Sequence, residues 1–192
     1  EMMAALSLRD LIRQSTNVAH EALEDTVVMR AFSGGAPSIA QYRDYLVRQL
    51  RLHAPLESML AGWVPADWAS LRLSRSAWLR SDLDALGVAP DARPAALPAV
   101  GSWAEAVGVL YVLEGGSLGL QVVRKRMQHD HPALGQAGRF MLGYGSDTGR
   151  HWRVFVDRIN TLPAAQWPLA VHAANQTFAA FLSIYSEPRD EH

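Results

Sequence analysis

The chain contains no cysteine, which excludes disulfides, thiolate metal sites and cysteine nucleophiles together and leaves the redox compartment without a marker. Lysine is nearly absent as well: Lys125 is the only one among 18 basic residues. With a net charge of −1 and a pI near 6.7, there is no global basic field of the kind that holds nucleic acid or an anionic membrane. Long apolar runs are missing too. The longest, Ala106–Leu113, is bounded by Glu105 and Glu114 and falls far short of the ~20 residues that a spanning helix needs. No leader segment is recognisable, so the expectation is a soluble, cytoplasmic protein with neither nucleic acid nor membrane as partner. There is no β-alternation of useful length, no internal repeat and no low-complexity tract.

What is present is helical periodicity. The 192 residues, 49% hydrophobic and 19% charged, suit one globular domain spanning 1–192 with a sizeable core, and the pattern predicts an all-α fold. Three capping boxes mark helix starts: Ser7-Leu-Arg-Asp10, Ser38-Ile-Ala-Gln41 and Ser102-Trp-Ala-Glu105. The first helix carries Leu8, Leu11, Ile12, Thr16, Ala19, Leu23 and Val27 on one stripe and continues to about Ala31, before Ser33-Gly34-Gly35-Ala36-Pro37 ends it. A second helix runs from about Ile39 to Gly62 and a shorter one over Arg75–Leu86. Pro90, Pro94 and Pro98 then punctuate a linker before a long helix from Ser102 to Gln128. A short helix from Pro132 to Leu142, a glycine-rich loop over 143–149 and two helices, Arg150–Leu162 and Gln166–Ser186, complete the chain. Residues 187–192 are expected to be a frayed tail.

The long helix contains three glycines, Gly115, Gly116 and Gly119. Each costs about 1 kcal/mol relative to alanine inside a helix, so the trio gives up on the order of 3 kcal/mol of local propensity. Gly115 and Gly119 share a face with Gly116 beside them, leaving a patch of bare backbone. Two readings follow: a tight helix crossing, or a flat ligand lying against the helix. On the first helix, His20 stands beside the apolar stripe near Thr16 and Leu23, with Glu24 one turn on as a possible hydrogen-bonding partner. A lone histidine there is ordinarily structural. Taken with the glycine patch, it offers an axial ligand opposite a face without side chains, between which a planar macrocycle fits.

The segment Leu8-Arg-Asp-Leu-Ile-Arg-Gln-Ser-Thr-Asn-Val-Ala-His-Glu-Ala-Leu-Glu24 resembles the proximal helix of the haem oxygenases, and Tyr111-Val-Leu-Glu-Gly-Gly-Ser-Leu-Gly-Leu-Gln121 resembles their distal helix. Order and separation match as well. The resemblance implies a compact single-domain fold that clamps haem between the two helices, with His20 as axial ligand to the iron. Gly115, Gly116 and Gly119 would form the open distal face where dioxygen, the co-substrate, is admitted. It implies cleavage of haem to biliverdin, carbon monoxide and ferrous iron, with electrons from a ferredoxin- or reductase-type donor. The bilin would serve iron release or supply a phytochrome. Arg13, two turns before His20, matches a basic position near the haem propionates; Arg150 and Arg153 are further propionate candidates, and Thr16 lies on the same side of the first helix. Two departures stand out: Leu120 where the family commonly has a second glycine, and Gly116 where some members carry an aspartate. The Arg124-Lys125-Arg126 cluster serves either as a cationic helix end or as a docking patch for an acidic donor.

Two rivals remain on sequence grounds. A non-haem di-iron protein could use His20, Glu24, His53, Glu57 and Glu114, although di-iron bundles usually present Glu-x-x-His in the opposite order. A haem carrier without turnover would share both helices without needing an open distal face. His129 and His131 diverge on a helix and make a poor metal pair, and Phe178, Phe181 and Tyr185 form a stripe suited to core packing. A thiaminase-like enzyme of the same broad fold would need a cysteine that this chain does not have.

Overall fold

The computed structural model describes residues 5–189. Among these, ten α-helices and short 3-10 turns account for the regular structure, with no strand: α1 (Leu8–Glu24), α2 (Val27–Ser33), α3 (Ile39–Leu60), α4 (Ala66–Arg72), α5 (Arg75–Ala85), α6 (Trp103–Gly115), α7 (Ser117–Asp130), α8 (Arg139–Leu142), α9 (Thr148–Ile159) and α10 (Trp167–Tyr185). The capping boxes at Ser7 and Ser38 both close reciprocally. Ser102 caps α6 through the Glu105 amide, while the Glu105 carboxylate reaches past the cap to accept from the Gly101 amide at 2.8 Å.

Where helices end differs from the sequence expectation in several places, each with a local cause. The first predicted helix divides because Thr26 turns the chain: its hydroxyl donates to the Leu23 carbonyl at 2.7 Å and accepts from the Met29 amide at 3.4 Å, ending α1 and starting α2. The long predicted helix is interrupted at Gly116, which closes α6 and opens α7. Pro132–Ala137 forms a 3-10 turn, so only Arg139–Leu142 of that predicted helix is α-helical. The first residues of the expected tail are held: Arg51 pairs with Glu187, and Arg48 donates to the Pro188 carbonyl at 3.3 Å.

Helix α10 is the hub, packed against α6 on one side and α1 on another, with α3 and α5 forming a second packed pair. Trp103–Asp130 contains an 18-residue window of mean hydropathy 1.5, apolar enough by composition to cross a membrane. In the fold its α6 half forms the middle of the core, with Ala104, Ala106, Val107, Val109 and Leu110 essentially inaccessible. Close packing of α6 on α10 depends on Gly108, where a Cβ would stand 2.1 Å from the Ala170 carbonyl oxygen and 2.8 Å from the Ala174 amide nitrogen. The tight crossing offered as one reading of the glycine trio therefore exists about two to three turns earlier, at a glycine outside the trio.

Gly108→Ala is expected to destabilise the protein by at least about 3 kcal/mol, because backbone atoms cannot give way as side-chain tips can. Gly119→Ala, whose new Cβ meets nothing within 4 Å, is expected to be neutral or stabilising by up to about 1 kcal/mol. Thermal unfolding of the two variants beside the parent checks the contrast.

Candidate functional site

The glycine trio faces open space. At Gly116 and Gly119 an added Cβ would have no neighbour within 4 Å, and at Gly115 it would only touch the Trp152 ring of α9 at 3.7 Å. All three glycines are exposed, so bare helix backbone is presented outward and not into a helix crossing. Leu118 and Val122, exposed on the same helix, add an apolar border to this face. Leu120 turns the other way and packs against the core, so the departure at that position leaves the open face intact.

His20 lies on α1 with its side chain 54% exposed. Its Nε2 is 3.6 Å from Glu24 Oε1, beyond hydrogen-bond length and in solvent, so the imidazole is not committed to that partner. The ring stands edge-on to Phe178 of α10 at 6.0 Å between centroids, which orients it from the core side. Phe178 thus belongs to the packing under the candidate ligand. Thr16, one turn earlier, is buried, and its hydroxyl donates to the Ile12 carbonyl at 2.7 Å.

Helix α9 touches α1, α6 and α7 and closes one side of this region. Trp152 packs against Tyr111 at 5.7 Å between ring centroids, one turn before Gly115. Burial raises the Tyr111 hydroxyl above its ordinary pKa, offset in part by the Arg9 and Arg13 guanidiniums of α1, whose fields reach it. Arg13 is exposed. Arg150 is exposed as well, with its Nε 3.4 Å from Asp147 Oδ1, a pairing worth little in water. Arg153 is exposed on the same helix, with a guanidinium nitrogen 3.7 Å from where a Gly149 Cβ would stand.

Directly behind the glycines lies a buried ionic group that sequence reasoning did not assemble. Glu114 accepts from Arg75 at 3.2 Å and from the Tyr144 hydroxyl at 2.8 Å, and Arg72 Nη1 lies 2.9 Å from its other oxygen. Burial alone would raise the Glu114 carboxyl, but the two guanidiniums and these hydrogen bonds outweigh it and hold the group below the usual carboxylate range. Arg72 is sandwiched over Trp68 at 4.3 Å and donates to the His151 carbonyl at 3.1 Å. The one sequence signal was Glu114 itself: a carboxylate ending the longest apolar run of a core helix requires a buried cation.

Three of the di-iron candidates are engaged elsewhere, Glu114 in the ionic group above. His53 is buried against Phe140 and Phe181 with Nε2 3.0 Å from Gln49 Oε1, and Glu57 accepts from the Ser76 amide at 2.9 Å near the start of α5. Among the described residues no three His, Cys, Asp or Glu side chains converge as a metal site. His129 pairs with its neighbour Asp130 while His131 bonds the Pro37 carbonyl, so the two diverge.

A family model described as heme oxygenase matches residues 6–187. The chain belongs to the haem oxygenase family. A curated heme oxygenase from Xanthomonas campestris pv. campestris is 35% identical over 114 residues, covering 57% of this chain and 67% of that one. The NO- and CO-bound heme oxygenase of Neisseria meningitidis shares the fold with a TM-score of 0.74 at 24% identity, covering 94% of this chain and 91% of that one. The heme oxygenase of Leptospira interrogans gives 0.69 at 18% identity, covering 94% and 99%. Heme oxygenase-1 from the cyanobacterium Synechocystis, in complex with heme, gives 0.66 at 18% identity, covering 94% and 91%. The chain is thus an enzyme of this all-α family, and the expected fold class stands.

His53 gives a pH prediction. Burial, reinforced by the Arg75 charge, holds its imidazole down to about 3, so the folded protein keeps it neutral while the unfolded chain takes up a proton below about 6.5. The unfolded state then binds more protons, and stability falls as pH drops through that window, by up to about 1.4 kcal/mol per unit. His53→Gln should flatten this slope in denaturant titrations between pH 6.5 and 4.

Proposed function

We propose that the protein binds haem between α1 and the α6–α7 face and opens it, with dioxygen and a reductant, to biliverdin, carbon monoxide and ferrous iron. The observation that carries this reading is the outward-facing glycine backbone, where Gly116 and Gly119 have empty space instead of a packed neighbour. A haem carrier has no need of such a face; an enzyme that admits dioxygen beside a macrocycle does. Haem, when bound, supplies both the redox-active iron and the ring that is oxidised.

The chain's residues would hold and orient it. His20 provides an uncommitted imidazole for the iron, positioned by Phe178 and with Glu24 near enough to tune it. Thr16 lies one turn below on the same helix. Arg13, Arg150 and Arg153 are exposed cations available to the propionates. Gly115, Gly116 and Gly119 would keep side chains out of the space that dioxygen needs beside the ring, with Trp152 as its wall at Gly115. With glycine at 116, protons must arrive through water and backbone carbonyls.

Lys125 and Arg126 are exposed in the second half of α7, which continues to Asp130 beyond the expected helix end, and they would suit an acidic electron donor of the ferredoxin or reductase type. The enzyme would work in the cytoplasm, its bilin serving iron release or a phytochrome.

His20→Ala should abolish the histidine-ligated haem spectrum and nearly all turnover, both read by absorption during haem titration. Gly119→Leu should keep the fold and haem binding while cutting turnover by about tenfold or more, since it fills the open face without touching a neighbour. Normal turnover in a folded Gly119→Leu protein would refute the role of the glycine face.

A further inference from the structure

The break at Gly116 joins two helices through a glycine-rich segment, and Ser117 begins α7 without any side-chain cap. Glycine loses little by changing conformation, so such a joint needs something else to fix it. One guanidinium crosses it. Arg75 of α5 donates through Nη1 to Glu114 Oε1 at 3.2 Å, on the last turn of α6, and through Nη2 to Ser117 Oγ at 3.0 Å, on the first turn of α7. We propose that Arg75, Glu114 and Ser117 form a positioning clamp that sets how α7 leaves α6 and so holds the glycine face open at the correct place.

Several observations support the clamp. All three residues are almost wholly buried, at 2%, 2% and 6% exposure, while the glycines they flank are exposed, so the clamp acts from behind and touches no ligand. Tyr144 closes the ring of contacts: its hydroxyl donates to Glu114 at 2.8 Å and accepts from Arg75 at 3.3 Å. The loop bearing Tyr144 is tied to the second turn of α7, because Gln121 donates to the Leu142 carbonyl at 2.8 Å. A buried arrangement of two arginines against one carboxylate is a poor way to gain stability, since well-packed apolar residues usually do as well or better. A rigid planar fork does fix two acceptors at a set separation, which lysine cannot do.

The catalytic consequence rests on the proposed haem function; the structural consequence does not. The natural absence of cysteine permits a direct test. Spin labels placed through Val18→Cys on α1 and Gln128→Cys on α7, both exposed, report the α1–α7 distance by pulsed electron resonance in the haem-free protein. Ser117→Ala and Arg75→Lys should each broaden or shift that distance distribution, and Ser117→Thr, which keeps the hydroxyl, should restore it. With haem, Ser117→Ala should retain the parent's haem affinity within a few-fold yet lose turnover by about tenfold or more, as misplacement of a reacting centre does. Unchanged distances in Ser117→Ala would overturn the clamp even if Arg75→Lys fails to fold. Altered distances with parental turnover would overturn its role in positioning. A parent protein that neither binds nor degrades haem would instead defeat the functional reading, leaving the distance measurement to judge the clamp.

Discussion

The contact of α6 with α10 at Gly108 is the constraint on which the rest depends. A single Cβ there would penetrate the Ala170 carbonyl, so the two backbones pack as closely as helices can. Helix α10 then carries α1 on another side, and its Phe178 meets His20. The imidazole and the α6 end of the glycine face, at Gly115, are therefore both mounted, through one helix each, on the same central element. Up to the joint at Gly116 their relation is set by the core and not by a loop, which would suit the rigid planar group of the proposed site.

Behind that core the protein buries an unusual amount of charge. Arg48, Arg51, Arg72, Arg75, Glu57, Asp82 and Glu114 are all inaccessible or nearly so, and each engages a specific partner. Asp82 shows the pattern: it accepts from the Arg139 and Phe140 amides at 2.9 and 2.8 Å and so starts the one-turn helix α8. Such groups contribute little net stability, but they fix helix ends and, through Arg51, the linker at Arg93 and Pro94. The open face can stay free of side chains because its geometry is set from within.

Much of this was legible in the sequence. The caps at Ser7, Ser38 and Ser102 marked three true helix starts, and the pairing of His20 with the glycine segment pointed to the family. What could not be read were features that depend on neighbours distant in sequence. Gly108 sits inside an unbroken apolar run, where nothing separates a glycine needed for close approach from one that is incidental. The glycines that looked like candidates for a crossing face open space instead. Arg72 and Arg75 carry no local signal of their role, since their partner Glu114 lies about forty residues further along the chain. Thr26 lay inside the first predicted helix; its hydroxyl, bonding in both directions, ends one helix and starts the next. The held positions of Glu187 and Pro188 likewise depend on arginines more than a hundred residues away.

The central proposal is that the open glycine face and His20 together serve the degradation of haem. Its most direct test is product stoichiometry: supply the protein with haem, an electron donor and dioxygen, with catalase present, and measure carbon monoxide, ferrous iron and bilin together. The account predicts equimolar release of all three, with biliverdin as the bilin. Haem that stays intact under these conditions, or that bleaches without releasing carbon monoxide, would contradict it.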